Sequence, residues 1–208
     1  MKDEITQIPQ SNDDSSIIQI LNEYDQQRDR LETLVANFLD LIGEDVGREG
    51  LKDTPTRVAS ACFELFSGYH LDPIDVLGKP FEDKSSELII VKDISMTSCC
   101  EHHLMPFYGV VHIGYVPNGY VVGISKLVRL VEVFARRLQI QERMCGQIAD
   151  SLMEFLKPLG VMVVVDAQHT CMTSRGVKNK AKTMTSAIRG DFANNAELRA
   201  EFLALIKS

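Results

Sequence analysis

The sequence predicts an α+β domain, an antiparallel sheet with helices on one face, preceded by N-terminal helices. Three observations predict it. Apolar runs of strand length recur at residues 87–97, 107–116, 120–124, 161–167 and 183–188. After the third run the period lengthens to three and four residues, over Leu127, Leu130, Val131, Phe134 and Leu138, then over Met144, Ile148, Leu152 and Phe155. The resulting order, three strands, two helices, two strands, leaves each amphipathic helix a sheet face to bury against.

Taken in order, residues 1–15 are polar, with Pro9 and a Ser-Asn-Asp-Asp-Ser-Ser run, and read as a flexible tail. From Ile17 a helix is expected, because Leu21, Tyr24, Arg28, Leu31, Val35, Phe38 and Ile42 share one face and Gly43 suits its stop. Thr54 followed by Pro55 is an N-cap and first helical residue, opening a second helix that runs to about Phe66. Residues 70–84 are punctuated by Pro and Gly and read as loop.

Leu88-Ile89-Ile90-Val91 opens the first strand, Phe107 to Val116 forms the second, and Pro117-Asn118-Gly119 is a hairpin turn returning the chain along Tyr120 to Ile124. Pro158 and Gly160 close the second sheet-domain helix. Val161 to Ala167 reads as a buried strand, Thr183 to Ile188 as a weaker one that can pair with it, and Asn194 to Lys207 as a terminal helix.

Composition narrows the function. A formal charge of −7 argues against a nucleic-acid partner, which would need a basic face. No apolar run is long enough for a bilayer, and Met1-Lys2-Asp3-Glu4 lacks a signal-peptide core, so no membrane role and a cytoplasmic location are expected. Five cysteines, two of them adjacent, make a poor disulfide framework; burial or metal ligation suits them better.

The chemistry concentrates in Ser98-Cys99-Cys100-Glu101-His102-His103, at the end of one strand, and in Asp166-Ala167-Gln168-His169-Thr170-Cys171, at the end of another. A lone Cys is usually a small core hydrophobe. Two Cys/His clusters at strand ends are harder to read that way; they offer the donors of a zinc site, in which three protein ligands would leave a position open for water. Three polar groups accompany them. Ser125-Lys126 with Arg129 stands at a helix start, where it is either a cap or a phosphate cradle. Gln141-Glu142-Arg143 opens the next helix. The third, Arg175-Gly176 through Lys182, is a basic loop in an acidic chain. A metal beside basic clusters suggests a phosphorylated substrate.

Cys100-Glu101-His102-His103, Gly123-Ile124-Ser125-Lys126, Gln141-Glu142-Arg143 and Asp166 to Cys171, followed by Arg175-Gly176, resemble the GTP cyclohydrolase I family in order and spacing. The resemblance covers roughly residues 20–205. It implies a T-fold, ββααββ, over residues 85–208, with a helical region over 16–84 ahead of it. It implies Zn2+ held by Cys100, His103 and Cys171, with Cys99 a competing thiol beside them. His102 and His169 would assist proton transfer, and Gln141 and Glu142 would hold the guanine edge. Ser125, Lys126, Arg129 and Arg175 would line the triphosphate and ribose pocket, with Arg57 a further phosphate contact and Ser125 also counted among the catalytic groups.

The implied activity is zinc-dependent hydrolysis of GTP at C8, releasing formate and rearranging to 7,8-dihydroneopterin triphosphate, the first step of tetrahydrofolate and pterin biosynthesis. The implied assembly is a homodecamer of two pentamers with sites between subunits. Residues 183–192 depart from the family's usual Thr/Ser- and Gly-rich wording. The alternatives are a related T-fold enzyme for another purine or pterin, and a non-catalytic zinc-binding scaffold.

Overall fold

The computed structural model describes residues 14–207, with side chains from Glu23 onward; the expected tail lies outside the described residues up to residue 13. The chain divides between Glu64 and Leu65 into two compact units. The first is helical: α1 (Asp14–Leu41) and α2 (Thr54–Leu65). Gly43 stops α1 with φ 87°, a conformation cheap only for glycine. Tyr24 of α1 packs its ring against Phe63 of α2 at 4.4 Å.

The second unit holds the sheet. A 3-10 turn (Ser67–His70) and α3 (Pro73–Leu77) precede β1 (Phe81–Glu82), β2 (Ile89–Cys100), β3 (Met105–Val116) and β4 (Tyr120–Val121). Then come α4 (Ile124–Ala135), β5 (Leu138–Gln139), α5 (Gln141–Leu156) and β6 (Gly160–His169). The chain ends with α6 (Thr170–Thr173), β7 (Lys182–Gly190), α7 (Asp191–Asn194) and α8 (Ala196–Lys207). The main sheet runs β5-β2-β3-β6-β7.

Its long strands are antiparallel, but β5 joins the end of β2 in parallel, so the sheet is mixed where an antiparallel one was expected. Leu138 was expected on a helix and begins β5 instead. The cause is Arg137. Its guanidinium donates to the carbonyls of Gly68 and Leu71 and lies over the Phe134 and Tyr69 rings, which draws the chain out of α4.

Two further expectations change. Gly119 takes the positive φ of an Asn-Gly turn, yet β4 does not return along β3. Both edges of β3 are occupied by β2 and β6, so the short β4 pairs with β1 in a separate ribbon. The 70–84 segment is also not all loop: the Asp72 carboxylate accepts from the Ile74 amide, capping α3 with Pro73 in its first turn.

Nor do the helices keep to one face. Phe107, Val111, Ile113, Val163 and Val165 share a core with α4 and α5, whereas Met162 and Val164 pack with Phe192 and Phe202 on the opposite face. The terminal helix thus covers the second face, which explains why β6 is apolar on both faces from Val161 to Val165. Gly114 makes room for it, since a Cβ there would stand 2.5 Å from the Phe202 ring. No helix among the described residues is long and apolar enough to cross a membrane.

What matters for the site is register. Cys100 pairs with Met105, Phe107 with His169, and Cys100 with Gln139 across the parallel junction. These pairings bring the C-terminal ends of β2, β5 and β6 to one end of the sheet.

Candidate active site

At that end β2 stops at Cys100, and the backbone turns sharply through residues 101–104. The His103 and Leu104 amides both donate to the Cys100 carbonyl, and Leu104 takes φ 53°. The turn folds His103 back over the strand end, so its Nδ1 lies 3.8 Å from Cys100 Sγ. Cys171 arrives from α6, the single turn that follows β6. The donor atoms of Cys100, His103 and Cys171 all lie within 4.8 Å of one another. Cys100 is buried, Cys171 half-buried and His103 exposed. Cys99, one residue back on the strand, is not in the group: alternate strand residues point to opposite faces.

The group's electrostatics suit a cation. Burial, with the Cys100 thiol beside it, pushes the Cys171 thiol up, while Arg175 pulls in the other direction. Two adjacent thiols oppose each other's ionisation, and a divalent ion among them reverses that balance. Two sulfurs and one imidazole form a soft, borderline donor set that zinc accepts.

His169 lies two residues before Cys171. Its ring stacks on Phe107, centroids 4.5 Å apart and nearly parallel, and its Nε2 meets Gln141 Oε1 at 2.8 Å. Desolvation lowers its pKa, partly offset by the Glu142 carboxylate. His102 is exposed, edge-on to His103, with Nε2 3.9 Å from the Glu101 carboxylate.

Sequence reasoning missed the clamp on that turn. Arg143, in the first turn of α5, is hydrogen-bonded to the Glu101 carboxylate, the Leu138 carbonyl and Gln139 Oε1. The Arg143 hydrogen bond holds the Glu101 carboxyl below its usual range. The Gln139–Arg143 spacing of four was visible in the sequence; the pairing with Glu101, across the sheet end, was not.

The remaining expected residues are placed as follows. Gln141 is buried, its amide engaged with His169, Val165, Thr183 and Thr185, while Glu142 beside it is exposed. Ser125, Lys126 and Arg129 share the first turns of α4. Gly123 occupies the cap position, so Ser125 is not the cap, and its side chain is exposed. Lys126 reaches toward Gly78. Arg175 is exposed on the loop after α6, within electrostatic reach of Cys171. Arg57 belongs to the first unit, ion-paired with Asp53 at 3.1 Å.

Against known families, residues 31–207 match the model of GTP cyclohydrolase I. The chain belongs to the GTP cyclohydrolase I family. A GTP cyclohydrolase 1 from Mycobacterium leprae (strain Br4923) is 52% identical over 196 residues, 93% of this chain and 95% of that protein. Another, from Dehalococcoides mccartyi (strain CBDB1), is 56% identical over 176 residues, 83% of this chain and 93% of that protein. Among solved structures, archaeosine synthase QueF-Like in the apo form matches with a TM-score of 0.42 and 18% identity. It covers 51% of this chain and 97% of that one, too slight a likeness to bear on fold or function. The Cys–His–Cys group at the sheet end is the set of side chains, among the described residues, that could hold a metal ion.

Proposed function

We propose that this chain hydrolyses GTP at C8, releases the carbon as formate and recloses the rearranged product as 7,8-dihydroneopterin triphosphate. The observation that carries the reading is the convergence of Cys100, His103 and Cys171 within 4.8 Å, with His169 clamped beside them, in a chain of this family. Cys100, His103 and Cys171 hold the metal, which we take to be zinc. The chemistry zinc supplies when bound is Lewis acidity, bringing the pKa of water toward neutrality.

The other roles belong to side chains. His169 and His102 move protons to and from the opening imidazole ring, a task suited to a side chain with one nitrogen that donates and one that accepts. Glu142, exposed at the start of α5, accepts two N–H bonds from the guanine amidine edge, which adenine does not present. Lys126, Arg129 and Arg175 bind the triphosphate, and Ser125 lies with them toward the ribose; in a chain of net charge −7 these few cations carry the attraction.

The catalytic domain we assign is residues 85–208, in the T-fold arrangement the family resemblance implies. A decamer of two pentamers, with Arg57 reaching a neighbour's triphosphate, is the assembly this reading favours. It draws support from β7, a nine-residue strand at the sheet's edge whose outer ladder groups suit pairing with another copy. The product is the first intermediate of pterin synthesis.

The test is direct. The purified protein is incubated with GTP, and formate and, after oxidation, a fluorescent pterin are measured before and after chelation. Both products are expected, and both should vanish with the metal. Full turnover in demonstrably metal-free protein would overturn the metal assignment.

A further inference from the structure

Gln141 was expected to read guanine. Its surroundings give it another task. The residue is 1% exposed, at the first position of α5 beneath the sheet end. Its Nε2 faces three acceptors: the Val165 carbonyl at 3.0 Å, the Thr183 carbonyl at 2.9 Å and Thr185 Oγ1 at 3.2 Å. Backbone carbonyls only accept, so the NH2 end of the amide must lie on that side. The oxygen end therefore faces His169 Nε2, 2.8 Å away. An amide oxygen cannot donate, so the hydrogen of that contact belongs to the imidazole.

From this we infer that Gln141 is a positioning residue that locks His169 in its Nε2–H tautomer, leaving Nδ1 as the nitrogen free to accept a proton. The clamp has two parts. The Phe107 stack fixes the plane of the ring, and the Gln141 hydrogen bond fixes its rotation within that plane. Gln141 is itself anchored on two strands, β6 through Val165 and β7 through Thr183 and Thr185, so its oxygen cannot swing away without breaking the bonds that its two N–H hydrogens share among these acceptors. A side chain spent in this way has no donor left for a purine, and base recognition falls to the exposed Glu142. The inference rests on the proposed reaction only for its consequence, since the tautomer can be observed without turnover.

The experiment pairs a spectrum with kinetics. In protein labelled with 15N-histidine, at about pH 8 where a free imidazole is neutral, the His169 resonances are identified by their loss in His169→Asn. The wild-type spectrum should show the hydrogen on Nε2; a hydrogen on Nδ1 overturns the inference without any further variant. Gln141→Met removes donor and acceptor at similar length. It should give a mixture of tautomers and a kcat lowered about 10- to 100-fold, the usual effect of losing a group that orients a functional histidine, with GTP affinity nearly unchanged.

If the Met variant does not fold, the wild-type spectrum alone still decides the tautomer. Weakened GTP binding with an unaltered tautomer in Gln141→Met would return Gln141 to base recognition and sink the inference. So would unchanged tautomer and unchanged kcat. Failure of wild type to form formate from GTP would instead refute the proposed reaction and leave the tautomer result standing.

Discussion

His169 and His112 sit on neighbouring strands of one sheet, on opposite faces, and burial lowers the pKa of both. Their surroundings part company from there. His112 lies mid-strand, 7% exposed, opposite Val164, with Nδ1 accepting the Asp93 amide at 3.2 Å. That amide belongs to the irregularity between Val91 and Ile94, where Asp93 takes φ 58°. His169 closes its strand, and the chain beyond it leaves the ladder and carries Cys171 to Cys100 and His103. Mid-strand, both neighbours and both faces are occupied, so a polar side chain can only be satisfied by the fold. At a strand end the pairing stops, and side chains from several loops converge with bonding capacity to spare. That difference separates a histidine satisfied within the sheet from one at the strand end where the donor group converges.

The comparison breaks hardest at the strand end. Cys100→Ser should lose the bound metal and turnover together while far-UV circular dichroism stays native. Cys99→Ser, one residue away and outside the donor group, should keep both. Metal content of the two purified variants decides it, and metal loss in Cys99→Ser alone would reverse the ligand assignment.

The opposite face should respond in stability rather than chemistry. Phe202 is fully buried against Met162, Val164 and Phe192, so Phe202→Ala should cost about 3–5 kcal/mol in denaturant unfolding. Metal content of the folded fraction should be unchanged. A loss below about 1 kcal/mol would mean that α8 contributes little to that face.

The smallest effect concerns His112 and acid. Its folded-state pKa lies below the ordinary 6.5, chiefly through burial, although the Asp93 and Asp166 charges raise it somewhat. The unfolded chain therefore binds the proton more readily. The stability from keeping His112 neutral is complete above pH 6.5 and is lost as pH falls from there through the lower folded value. Because His169 shares the direction of shift, the informative quantity is a difference. His112→Asn should be less stable than wild type near neutrality, and its stability should fall less steeply between about pH 6.5 and pH 5. Parallel slopes would remove His112 from the acid response.

Much of this was legible in the chain because it is local. Strands β2, β3, β6 and β7 announce themselves by apolar runs, α4 and α5 by a period of three to four, and Cys100 and His103 meet through a turn of four residues. The donor group needed only one long-range fact, the pairing of β3 with both cluster-bearing strands, for Cys171 to join them. What sequence alone left undecided depends on which edges and faces were already taken. β4 was turned away from β3 because both its edges were filled. Leu138-Gln139 became a strand because Arg137 found carbonyl acceptors at Gly68 and Leu71. Gln141, which the family resemblance assigned to the guanine edge, has its amide hydrogens engaged by acceptors from Val165, Thr183 and Thr185, brought to it by register. Residue type and spacing determine which chemistry a segment can perform. Whether a side chain remains free to perform it is settled by non-local partners, and only tertiary structure supplies those.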